Sequence, residues 1–194
     1  MSDAVNIPVL LGSVRRNRRS AMVGRWLHRQ LEMDERITTH LIDLEELVLP
    51  IMEERLRMRE DPPPGAVTLS EVIAAGDGLV IVTPEYNHGY PGVLKNALDY
   101  ILPELKRKPV GIVTVSAGGF GGINCLAQLR LVLLAMGATP IPASLPVSRV
   151  TTSFTDEGPA DDGFADRARN FIDEVVWWTS AAAGKKKQEP LPPP

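Results

Sequence analysis

The chain predicts an α/β domain of three layers: a five-stranded parallel sheet, doubly wound in the order 2-1-3-4-5, with helices on both faces. Three observations predict it. Short apolar runs alternate with helix-length amphipathic segments along most of the 194 residues. Two of those runs, Leu79–Thr83 and Pro109–Ser116, are apolar without alternation, the pattern of parallel strands buried on both faces. Three strands end in loops rich in glycine, hydroxyls or turn residues, at the sheet edge where such folds bind ligands.

The elements follow in order. Val5–Leu11 is the first strand and ends at Gly12. Ser20–Met33 is a helix with Val23, Trp26, Leu27 and Leu31 on one face. Ile37–Ile42 is the second strand. Asp43–Pro50 and the charged run Glu53–Glu60 form an irregular or partly helical connection, and Asp61-Pro-Pro-Pro-Gly65 is a rigid break. Val67–Ala75 is helical with Val67, Val72 and Ile73 inward, and Gly76-Asp77-Gly78 ends it. The third strand, Leu79–Thr83, stops at Pro84. Val93–Leu102 is a helix, Pro109–Ser116 the fourth strand, and Gly121–Met136 an apolar helix closed by Gly137. Ala138–Val147 contains the fifth strand, whose prolines suit a sheet edge. Asp161–Thr179 is the last helix, with Phe164, Ala168, Phe171, Val175 and Trp178 on one side. Residues 1–180 therefore read as one domain, and Ala181–Pro194, with its lysine and proline runs, as a disordered tail.

Composition narrows the function classes. The net charge is −3, and the last ten residues carry three lysines and one glutamate, so the body without them stands at −5. An acidic body with one local arginine cluster argues against nucleic-acid binding, which uses a broad basic face. It favours a small anionic ligand held in one place. The single cysteine, Cys125, forbids an internal disulfide; after its glycine run it faces either a helix core or a pocket, and the buried, inert thiol is the favoured reading. No signal peptide and no membrane span is legible, so a cytoplasmic protein is expected. His28 and His40 lack partners at metal-ligand spacing, and no metal site is expected.

The three loops carry the chemistry. After the first strand come Gly12, Ser13, Arg15, Arg16, Arg18, Arg19 and Ser20. A helix start behind a loop of hydroxyls and guanidiniums suits a phosphate, because unpaired backbone N–H groups and the helix dipole point into the loop. Neither the nucleotide-triphosphate loop pattern nor the dinucleotide fingerprint is present. After the third strand, Pro84, Glu85, Tyr86, Asn87, His88, Gly89 and Tyr90 offer flat surfaces and side-chain hydrogen bonds. After the fourth, the glycines around Gly118 and Gly119, next to Ser116, let backbone N–H groups approach a ring edge without Cβ interference. A phosphate at one end and a hydrogen-bonding heteroaromatic ring at the other describe a mononucleotide. Flavin mononucleotide fits best, because oriented N–H donors at the polar edge of its ring stabilise the reduced form.

The same residues resemble a known family. Gly12-Ser13-x-Arg15 with Ser20, Pro84-Glu85-Tyr86-Asn87, Leu94-Lys95-Asn96-Ala97-Leu98-Asp99 and Ser116-x-Gly118-Gly119 are similar to motifs of the NADPH-dependent FMN reductases, which have the flavodoxin-like fold and include quinone, chromate and azo-dye reductases. The resemblance spans roughly residues 5 to 180. It implies a hydride passing from NADPH, or NADH, through bound FMN to a quinone, flavin or similar small acceptor. It implies an FMN phosphate held by Ser13, Arg15, Ser20 and nearby backbone N–H groups, such as those of Ala21 and Met22, with Arg18 a further candidate. It places the ring against Pro84, Glu85, Tyr86 and Asn87, with Ser116, Gly118 and Gly119 at its pyrimidine edge, and it implies a homodimer or homotetramer. Arg16, Arg18 and Arg19 compete for the phosphate, and Arg18 and Arg19 are divided further between the 2′-phosphate of NADPH and plain solvation. His88 is divided between the ring edge and solvent. Lys95 and Asp99, at i and i+4, read as an ion pair on an exposed helix face or as an intersubunit contact. No side-chain nucleophile or general base is required. The rival reading is a flavodoxin-type FMN electron carrier without NAD(P)H activity.

Overall fold

The computed structural model of the protein describes residues 4–189. The chain opens with β1 (Val5–Asn6), β2 (Val9–Leu11) and α1 (Arg19–Glu32), followed by β3 (Ile37–Thr38), β4 (Leu41–Asp43) and the one-turn α2 (Leu44–Leu47). Next come α3 (Pro64–Ala75), β5 (Leu79–Pro84), α4 (Gly92–Tyr100), β6 (Pro109–Val115), α5 (Ile123–Ala135) and β7 (Thr139–Val147). A short α6 (Val150–Ser153), the strand pair β8 (Phe154–Thr155) and β9 (Gly158–Pro159), and α7 (Asp162–Gln188) complete it.

Five strands pair in parallel in the order β4-β2-β5-β6-β7. Alternate residues of the three central strands, β2, β5 and β6, serve two cores. Val9, Leu11, Val80, Val82, Val113 and Val115 pack with α1 and α7. Leu10, Leu79, Ile81, Val110 and Ile112 pack with α3, α4 and α5. This two-sided burial is why the central strands show no polar alternation. At one edge, β7 tolerates Pro140, Pro142 and Pro146, which cannot donate to a neighbour.

Four departures from the sequence reading break an element or exceed two residues. Val5–Leu11 and Ile37–Ile42 are each interrupted, so that β1 and β3 form their own parallel pair. Pro8 sits in the first interruption and has no N–H to give, although Ile7 and Val9 still donate to Thr38 and His40 at 2.8 Å. α3 begins at Pro64 rather than Val67, because proline is accepted in a first turn whose N–H groups are unpaired anyway. Its inward face is Ala66, Leu69 and Ile73, with Val67 and Val72 only half-buried. Finally, α7 continues to Gln188, where a disordered tail was expected from Ala181. Alanines propagate a helix, and lysines near its C-terminal end oppose the dipole favourably. Residues 190–194 of that expected tail lie outside the described residues.

The β8–β9 pair matters for the site because it anchors the segment leading out of β7. Phe154 packs edge-on against Trp26 and Phe164, with ring centroids 5.6 and 5.5 Å apart.

Candidate functional site

A crevice of about 460 Å³ opens beyond the carboxyl ends of β2, β5 and β6. It is lined by residues 15–20, 84–86 and 115–117, together with Val150 and Thr151. The three loops singled out in the sequence therefore meet.

In the first loop Ser13 is buried, and its hydroxyl lies 2.8 Å from the Tyr86 hydroxyl. The same oxygen accepts the Arg15 N–H at 3.3 Å. Arg15 is exposed, its guanidinium 6.0 Å from the Tyr86 ring centroid. α1 starts without a side-chain cap and without an acidic residue in its first turn. Its leading N–H groups thus have no side-chain acceptor, which is the arrangement that favours an anion. Ser20 and Ala21 are buried at this turn and Met22 is half-buried against the core.

Arg18 has a second commitment. Its two terminal nitrogens pair with Asp43 and Glu45, and its side chain is only 5% exposed. Asp43 also accepts from Arg25 at 3.4 Å and caps α2 through the Glu45 N–H at 3.1 Å. Arg18 is therefore a strut between the arginine loop and the end of β4, with its buried Nε left unpartnered. Arg16 and Arg19 are exposed at the crevice.

The second loop is shaped by backbone. Tyr86 and Gly89 exchange N–H···O bonds of 2.8 and 2.9 Å, and Asn87 and His88 between them have φ of 50° and 66°. This is a two-residue turn of the type that asparagine favours at its first centre. Asn87 is exposed at that turn, and His88, also exposed, shares a 2.8 Å hydrogen bond with Asn124. Glu85, expected to offer its carboxylate to a ring, accepts the Cys125 N–H at 3.0 Å instead. It thereby caps α5, whose own N-cap, Gly122, has no side chain to offer. Tyr90 is half-buried against the core, and burial raises its phenol pKa.

In the third loop the Ser116 hydroxyl donates to the Gly118 carbonyl at 3.0 Å. A Cβ on Gly118 would meet nothing within 4 Å, and one on Gly119 only an Arg149 nitrogen at 3.7 Å. The fold itself does not require glycine at either position. It does require Gly121 and Gly122, whose φ values are +63° and +82° and whose Cβ atoms would stand 2.8 Å from Pro146 and 2.9 Å from Thr114. Both glycines are exposed, and the crevice lining takes in Ser116 and Ala117 of this loop but not Gly118 or Gly119.

Sequence reasoning missed a fourth wall. Val150 and Thr151 follow β7, and this turn is stitched to the third loop by Arg149 N–H to Gly118 O (2.9 Å) and Val150 N–H to Ser116 O (3.1 Å). The signal was available, since the turn leaves the carboxyl end of the fifth strand. Cys125 is buried, and burial pushes its thiol up to about 12, so it is not a nucleophile. Among the described residues no His, Cys, Asp and Glu side chains group to hold a metal, and no helix is long and apolar enough to cross a membrane.

The donor set fits a flavin mononucleotide: an uncapped helix start with cations at one side, a locked tyrosine ring and an open glycine turn at the other. The volume lies in the range of roughly 300–1,000 Å³ typical of small-molecule sites. Comparison with known proteins points the same way. The profile of the family described as NADPH-dependent FMN reductase matches residues 5–152. A quinone reductase of Escherichia coli (strain K12) is 37% identical over 144 residues, covering 71% of this chain and 74% of its own. An NAD(P)H-dependent FMN reductase of Schizosaccharomyces pombe is 35% identical over 162 residues, covering 77% and 78%. Among solved structures, the flavoenzyme NAD(P)H:(acceptor) oxidoreductase FerB of Paracoccus denitrificans superposes with a TM-score of 0.80 at 25% identity, over 92% of this chain and 99% of that one.

Proposed function

The chain belongs to the NADPH-dependent FMN reductase family, and from that premise we infer how its crevice works. The protein is an FMN-dependent NAD(P)H oxidoreductase. When bound, FMN supplies the redox-active ring through which reducing equivalents pass from NAD(P)H to a quinone, a flavin or a similar small acceptor.

The protein's part is to bind and orient. Arg15, Ser20 and the N–H groups of Ala21 and Met22 hold the phosphate at the uncapped start of α1. Ser13 acts through Tyr86, and Arg18 through its place at the head of the helix, its charge being shared with Asp43 and Glu45. Pro84, Glu85, Tyr86 and Asn87 form the wall for the ring, and Ser116, Gly118 and Gly119 face its polar edge. No side chain need act as acid, base or nucleophile. The Ser13–Tyr86 hydrogen bond carries this reading, because it ties the anion loop to the ring wall. Counted along the chain, the strand order reads as the 2-1-3-4-5 winding of the flavodoxin-like fold, with its switch point between the first and third strands. The strands and helices from Val5 to Gln188 form one FMN-binding domain, with α7 running past residue 180. A homodimer or homotetramer is supported by the exposed apolar residues Leu131 and Leu134 on α5. A cytoplasmic location is supported by the single, buried cysteine.

The test is an absorption spectrum of the protein after FMN loading and washing, repeated after NADPH addition without oxygen. Retained flavin that bleaches establishes the cofactor and the reductant together. Flavin that stays oxidised with both NADPH and NADH would return the electron-carrier reading, and no retained flavin would remove the cofactor.

A further inference from the structure

Arg149 opens the fourth wall of the crevice and has no part in the reading above. Its backbone is left-handed, with φ 48° and ψ 42°, a conformation uncommon outside glycine, asparagine and aspartate. Both sides of that backbone are tied down. The N–H donates to Gly118 O at 2.9 Å, and the carbonyl accepts the Thr152 and Ser153 amides at 2.9 Å each. None of these bonds uses the side chain. The guanidinium reaches back over the open glycine turn, 3.7 Å from where a Gly119 Cβ would stand. Arg149 is exposed, and among the described residues no ion pair engages it. The next two residues, Val150 and Thr151, line the crevice.

Six non-glycine residues among those described have positive φ, and four of them, Asn17, Asn87, His88 and Arg149, lie in the loops around the crevice. The two asparagines suit that backbone and His88 completes a tight turn. At Arg149, the N-cap of α6, the residue type does not favour that backbone, and the bonds to Gly118, Thr152 and Ser153 hold it there. Strain of this kind persists where the surroundings over-determine it, and it clusters at ligand clamps. A cation without a counter-ion, held at the rim over a cradle without Cβ atoms, fits a ligand anion.

We propose that Arg149 binds a phosphate oxygen of the dinucleotide reductant. The proposal rests on the reading of the chain as an NAD(P)H oxidoreductase. The reductant must lay its nicotinamide over the ring wall, and its phosphates must then leave past the rim. Arg15 and the start of α1 are assigned to the FMN phosphate, and the exposed Arg16 and Arg19 stand on that same wall, so a second polyanion leaving past the third-loop rim takes a cation there. Arg149 supplies it from the side of the third loop.

The experiment compares the FMN-loaded wild type with Arg149→Asn, which tolerates left-handed backbone without the charge, and Arg149→Lys, which keeps the charge. Binding of NADP+ and NAD+ is measured by calorimetric titration, and anaerobic flavin bleaching is followed against NADPH and NADH concentration. Arg149→Asn should weaken dinucleotide binding about tenfold, the loss of one charge-assisted contact. The bleaching rate at saturation and the FMN content should stay unchanged, and Arg149→Lys should recover much of the loss. Weakening shared by both dinucleotides identifies the pyrophosphate as the contact, and weakening confined to NADP+ and NADPH identifies the 2′-phosphate. Unchanged dissociation constants in Arg149→Asn, or a matching loss of FMN, overturn the proposal. A wild type that neither nucleotide bleaches would overturn the oxidoreductase reading instead.

Discussion

Ser13 shows how much one hydroxyl can organise: it meets the Tyr86 phenol and accepts the Arg15 amide while nearly excluded from water. Ser13→Ala leaves both partners short of a hydrogen bond. It should cost about 1–2 kcal/mol of stability in urea melts and weaken FMN in a fluorescence titration. Arg15→Ala should lose FMN far more severely, because a phosphate dianion is left without its charged partner. Stoichiometric flavin retained by that variant at sub-micromolar concentration would move the phosphate to another residue. Cys125 behaves oppositely. With its thiol pushed up to about 12, the native protein should leave a thiol-reactive disulfide reagent untouched at mildly alkaline pH and react once denatured. Sequence favoured an inert Cys125, because a lone cysteine in an apolar helix is ordinarily buried, and tertiary burial decided it against the pocket. The pairing of Arg18 with Asp43 was not legible from sequence, because Asp43 lies 25 residues away at the end of β4.

Among the elements, α3 is held unusually closely at both ends. At its start, a Cβ on Gly65 would run into the Leu47 carbonyl of α2, which as backbone cannot easily move aside. Gly65→Ala should lower stability by about 1–3 kcal/mol, read as a fall in the thermal midpoint. At its end, the buried Lys108 ammonium donates to the Ile73 and Gly76 carbonyls, the groups a helix leaves unpaired. Burial nonetheless lowers its pKa from 10.5 to about 8. The folded protein then binds this proton more weakly than the unfolded chain does. Stability should therefore rise as pH climbs from about 8 to about 10.5, by up to about 3 kcal/mol in all. Denaturant melts across that window should show the rise in the wild type and lose it in Lys108→Met. A rise of the same size in the variant would assign it to other groups.

At the scale of the whole molecule, the sheet is covered on both faces but α5 is not covered on its outer one. Ile123, Ala127, Leu131 and Leu134 follow one another at helical spacing along its exposed side. An apolar stripe of this kind on a surface helix marks an interaction face. Sedimentation should find a homo-oligomer, and the double variant Leu131→Glu with Leu134→Glu should sediment as a monomer with its fold intact by circular dichroism. A wild-type monomer would remove the oligomer from the proposal.

The sequence by itself determined the succession of strands and helices, the double burial of β5 and β6, the edge position of β7 and the three loops that meet. Each of these is a local property: hydrophobic period, proline placement and glycine content are read within a few residues of one another. Tertiary structure decided what the polar side chains do. Glu85 caps a helix 40 residues further on, Arg18 braces the end of β4, and the Arg149 guanidinium lies beside Gly119 from just beyond β7. Long-range hydrogen bonds and ion pairs depend on which strands become neighbours, and burial then leaves each polar group dependent on the partner that the sheet order brings to it.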